Sequence, residues 1–210
     1  MIDSASLPVL NGWESFYVIV GSSGAALTGL MFVVIAIVAD SPQGQDASAI
    51  KAFGTPTMVH FCVALLVAAV VSAPWHRIWS VAAAITAIGL GGIAYGCVVI
   101  GQAVKQTRYK PVFQDWLWYM ALPLVAHVTY VIAGLLLPRL ADASLFFIGT
   151  ATLLLLLIGI HNAWDTVTYI AIDMRKAATQ GSPHPPIAAP VPPPPAAPPP
   201  AAPPPSAARR

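Results

Sequence analysis

His161 and Asp165 stand four residues apart at the end of a long apolar run. On a helix that spacing puts both on one face, with Thr168 continuing the stripe. Asn162 and Thr166 form the adjoining stripe. A carboxylate beside an imidazole can relay a proton or hold a cation, and an ionisable residue inside an apolar segment is a functional candidate by default. His60 and His127 lie in two further apolar runs, one turn after Thr57 and one turn after Pro123 respectively. Each has a plainer reading. A neutral imidazole can bond to a hydroxyl or a backbone carbonyl, and Asp165 can serve as a cap where its helix meets water. His60 and His161 are expected at similar depth, so a bis-histidine haem is a third, weaker reading. Cys62 and Cys97 read as buried apolar cysteines.

Other chemistries find no residues to carry them. There is no nucleophile–base–orienter set, no phosphate loop, no HExxH, no CxxC and no Cys/His zinc spacing. The expectation is therefore not an enzyme, with no cofactor and no catalytic or metal-binding residues. A net charge of +2 without a basic cluster excludes a nucleic-acid partner.

The elements that hold these residues follow from charge. Asp, Glu, Lys and Arg make up only 9% of the 210 residues, and hydrophobic residues 57%. A soluble domain carries about 25% charged residues. The charges leave uninterrupted gaps of 25, 25, 27, 23 and 22 residues, at 15–39, 52–76, 78–104, 116–138 and 143–164. Each exceeds the roughly 20 residues a helix needs to cross a bilayer. Barrel strands would alternate apolar and polar residues, whereas LLLLLIG and FVVIAIVA are continuous. The fold class expected is all-α, a polytopic membrane bundle of five transmembrane helices at about 15–39, 55–74, 78–101, 116–137 and 145–170. Pro123 alone falls inside a span, where it should kink or loosen the helix near Tyr119. The first span has no positive segment before it and is too long for a signal-peptide core, so it is read as a spanning helix.

Lys and Arg set the orientation. Lys51, Lys105, Arg108, Lys110, Arg175 and Lys176 fall on one side, Arg77 and Arg139 on the other. The richer side is cytoplasmic by the positive-inside rule, which puts the N-terminus outside. Residues 1–176 form the membrane domain. From 177 to 210 the chain is nearly all Pro and Ala, with 14 of its 21 prolines between Pro183 and Pro205. That tail is expected to be disordered with polyproline II character, either a plain spacer or a ligand for a proline-binding partner.

Gly21, Ala25 and Gly29 recur every four residues, and Gly92 and Gly96 form a GxxxG. Small residues let membrane helices approach closely. The expectation is that the first and third spans pack together through these two stripes. The alternative is an interface with a second copy or another membrane protein.

WESFYVIVGSSGAALTGLMFVV at 13–34 and GIHNAWDTVT at 159–168 resemble an uncharacterised family of small multi-pass bacterial inner-membrane proteins. The likeness spans residues 13–172 and excludes the tail. It implies the topology and the bacterial inner membrane, and transfers no activity. The functional expectation is a structural, assembly or accessory membrane protein. Two other classes are left open: a small transporter or channel with a cytoplasmic-side His/Asn/Asp site, and, more weakly, a membrane redox protein with a bis-histidine haem.

Overall fold

The computed structural model describes residues 8–39, 55–105 and 116–180. A short α1 (Pro8–Asn11) leads into α2 (Glu14–Ala39), followed by α3 (Thr55–Ser72) and α4 (Ile78–Lys105). A π-helical turn (Leu117–Ala121) runs directly into α5 (Leu122–Leu136), and α6 (Ala141–Gln180) closes the set. No strand occurs among the described residues. The chain divides after Met174, and of its second unit, Arg175–Arg210, only 175–180 are described, as the end of α6. The helix thus continues past the expected start of the tail at 177. The Pro/Ala run itself lies outside the described residues.

The helix ends have local causes. Glu14 sits in the first turn of α2 and Asp142 in that of α6, where a carboxylate meets the positive end of the helix dipole. Pro56 occupies the first turn of α3, a place that needs no amide donor. Before Pro74 the helix stops, and the Trp75 indole N–H donates to the Val70 carbonyl, one of the acceptors a helix end leaves open. At the α5–α6 corner the Arg139 and Leu140 amides both donate to the Leu136 carbonyl at 2.9 Å.

Pro123 has the expected effect. It lacks an N–H, and its ring would collide with the carbonyl four residues back, that of Tyr119. The chain answers with one wide turn, in which the Leu122 amide donates to the Leu117 carbonyl, five residues back. α-Helical bonding resumes with the proline in the first turn of α5.

Helix pairing departs from the expected pattern. α2 packs on α3, α4 packs on α5, and α3 meets α4 only slightly. A Cβ on Gly21 would stand 3.0 Å from the Ala68 Cβ, and one on Gly24 would stand 3.2 Å from the Phe61 carbonyl. Within the chain, Ala25 is exposed and Gly29 meets nothing within 4 Å. The stripe chosen from the sequence is therefore corrected. Positions 21 and 24 face the neighbour, and successive helical residues are turned by about 100°, so the i, i+4 series through 25 and 29 swings away. Gly92 lies under the His127 ring of α5, Gly89 against the His127 carbonyl and Val131, and Gly134 against Thr86 and the Ala82 carbonyl. Gly96, like Gly29, meets nothing within 4 Å.

α6 is the common wall. Leu145, Ile148, Leu155 and Ile158 are fully buried. Its Gly149 receives Trp13 and Phe16 from the start of α2, and its Gly159 receives the Phe61 ring of α3. Trp13 meets Phe146 edge-on, with centroids 5.0 Å apart. The outside is the reverse of a soluble surface. Phe32, Leu135, Phe146, Leu157 and Trp164 are all exposed. Cys62 and Cys97 are also on the outside, not buried as expected, because their helices present those faces outward.

Among the described residues five helical stretches are long and apolar enough to cross a membrane. They are Glu14–Ala36, Thr55–Ser72, Ile78–Gly101, Leu117–Leu136 and Ala141–Thr168. This architecture is compatible with a multi-pass membrane protein.

Candidate functional site

Two polar groupings stand out in the largely apolar bundle interior. The first is satisfied at Tyr130 and Thr152 but not at Tyr17. The buried Tyr130 hydroxyl of α5 donates to Thr152 Oγ1 of α6 at 3.0 Å, and Thr152 donates in turn to the Ile148 carbonyl at 2.7 Å. Tyr17 of α2 is buried, and its hydroxyl has no hydrogen-bond partner. The Tyr130–Thr152 bond ties α5 to α6, and sequence reading singled out none of these residues. The signal available was a Tyr and a Thr, each isolated in an apolar run.

The second grouping is not satisfied. His60 is 3% exposed and His127 2% exposed. Neither ring nitrogen of His60 has a hydrogen-bond partner, and Nδ1 of His127 has none. Both histidines line one cavity of about 20 Å³ between α3, α4, α5 and the π turn. Tyr95, Gly96, Tyr119, Met120 and Pro123 complete much of its wall. Such a volume is on the order of what one water molecule needs. Gly92 makes the approach possible, since any side chain there would overlap the His127 ring.

Asn162 is fully buried on α6, and neither its Oδ1 nor its Nδ2 has a partner. Gly159 lies against Phe61, and α6 runs antiparallel to α3 in the bundle. Asn162, one turn beyond Gly159, is therefore level with the turn of α3 that carries Thr57 and His60. A buried amide or imidazole left unpaired costs about 1–3 kcal/mol.

His161 is placed differently. Its ring stacks on Trp118 of the π turn, with centroids 3.8 Å apart and planes inclined by 24°. Its Nε2 lies 3.2 Å from Asp165 Oδ2, within ion-pair distance but without a hydrogen bond. Asp165 is half-exposed, which removes much of the cost of its charge. Thr166 donates to the Asn162 carbonyl at 2.8 Å.

Of the five candidate polar residues, then, the structure brings His60 to His127 and joins His161 to Asp165, while Asn162 stands buried on a neighbouring face. The bis-histidine arrangement through His60 and His161 gains nothing from this, since His60 shares a cavity with His127 while His161 stacks on Trp118. No group of three or more His, Cys, Asp or Glu is assembled among the described residues.

Comparison with protein-family models, with curated proteins and with solved structures found no match.

Proposed function

We propose that the chain is a multi-pass protein of the bacterial inner membrane that holds or passes a small polar guest within the bilayer. The observation that carries this reading is that His60 and His127, both with unsatisfied ring nitrogens, line one cavity. Leaving such groups unpaired in a medium without water is costly, and a guest would relieve that cost. Six Lys and Arg against two favour an N-terminus outside and a C-terminus in the cytoplasm. The motifs at 13–34 and 159–168 support the bacterial setting by resemblance.

Flux measurements test the reading. The full chain reconstituted in vesicles, under imposed proton or monovalent-cation gradients, is expected to carry flux above that of protein-free vesicles. His127→Phe should abolish the excess. Flux no greater than that of empty vesicles would overturn the reading.

A structural, assembly or accessory role is the second reading. It is favoured by Gly29, which is exposed and leaves open space on α2 where another helix could approach. Cross-linking in native membranes followed by affinity isolation of the full chain would recover a stoichiometric membrane partner in that case.

A further inference from the structure

The cavity between α3, α4 and α5 has a wall whose chemistry is more specific than polarity. Besides His60 and His127 it includes Met120, the fourth residue of the π turn. A water molecule could bridge the two imidazoles, but a thioether is a poor partner for water. Imidazole and thioether together form a donor set suited to copper, and the thioether selects its soft monovalent state. Charge points the same way. His60, His127 and Met120 supply no anion, so a bound cation keeps its full charge in an apolar interior. The cost of burying an ion rises with the square of its charge, which disfavours a divalent metal strongly. Zinc in structural sites also takes four ligands, commonly including thiolate or carboxylate. The volume, about 20 Å³, has room for a bare ion.

We propose that this cavity is a site for one copper(I) ion, held by His60, His127 and the thioether of Met120. The proposal rests on the guest-binding reading above and names the class of guest. The π turn is what brings Met120 to the site. One residue more or less in that turn would rotate Met120 by about 100° around its helix. Gly92 supports the other side, by letting the His127 ring lie against α4.

Equilibrium binding in detergent tests the site without depending on transport. The probe is copper(I) under reducing conditions, competed against a chromophoric copper(I) chelator. The protein is the full chain carrying Cys62→Ser and Cys97→Ser, so that the two exposed thiols do not compete. One copper per chain is expected. Met120→Leu, close to isosteric, should weaken binding about tenfold or more, and His60→Gln by more than the roughly tenfold to hundredfold lost with an outer-shell partner. X-ray absorption of the loaded protein should give a first shell of two nitrogens and one sulfur. This measurement stands even if a histidine variant fails to fold. No copper bound, equal affinity in wild type and Met120→Leu, or a shell without sulfur would each overturn the assignment. Binding without flux in vesicles would leave the site intact and remove the transport reading. Flux of protons without copper binding would do the reverse.

Discussion

Two hydroxyls that share one hydrogen bond are not equivalent. Thr152 accepts from Tyr130 and also donates to the Ile148 carbonyl, within its own helix. Tyr130→Phe removes one donor and leaves Thr152 with a partner. Hydrogen bonds between membrane helices average about 0.6 kcal/mol, and a loss of that order is expected. Thr152→Val keeps the shape but strands the Tyr130 hydroxyl in an apolar interior, at about 1–3 kcal/mol. Chemical unfolding in mixed micelles would measure both, and a Tyr130→Phe loss equal to or larger than that of Thr152→Val would contradict the assigned directions of donation. At Gly92 the argument is steric. Gly92→Ala places a methyl into the His127 ring and should cost about 1–3 kcal/mol as over-packing. Gly96→Ala, one turn on and in open space, should stay within about 0.5 kcal/mol of wild type. Thermal melts in detergent would separate the two, and similar melting temperatures would refute the placement of His127 over Gly92.

Between residue and bundle the unit is the helix pair. α2 and α3 close on each other through Gly21 and Gly24. A disulfide needs Cβ atoms about 3.5–4.5 Å apart, and the position of a Cβ on Gly21, 3.0 Å from that of Ala68, needs only a small retreat. Gly21→Cys with Ala68→Cys, in a background lacking Cys62 and Cys97, should therefore oxidise to an intramolecular cross-link. Ala25→Cys with Gly92→Cys should not. The opposite pattern would restore the pairing of α2 with α4 expected from small residues alone. The reason that expectation missed is geometric. Gly21, Gly24, Ala25 and Gly29 are all small, so composition admits two faces separated by about 100°, and only the neighbouring helix selects one. Spacing within one helix was legible, as with His161 and Asp165, and so was the local fault at Pro123. The meeting of His60 with His127 was not. They are 67 positions apart, and nothing in either run encodes which helix stands opposite.

For the whole molecule, charge gaps alone located the five apolar helices, because only long uncharged runs can form stretches of this kind. Orientation is open to direct measurement. A reporter fused after Ala178 should be active only if it is of the cytoplasmic type, and activity of a periplasmic reporter there would reverse the topology. Truncation after Gln180 removes the Pro/Ala run. Since Pro and Ala of that composition supply no core, the shortened chain should insert and melt as the full one does, and loss of the membrane-embedded form would assign the run a docking role.

The position of α6 carries a consequence for biosynthesis. The chain is made from its N-terminus, so α2 with α3, and α4 with α5, can each close as adjacent hairpins while translation continues. α6 emerges last, yet it supplies the partner for the Tyr130 hydroxyl and the seat for the Phe61 ring. Until it arrives, the nascent protein holds two finished hairpins around an open seam that exposes a tyrosine hydroxyl and aromatic edges to lipid. A ribosome stalled before Ala141 would therefore present a product that membrane quality-control proteases can distinguish from the completed one.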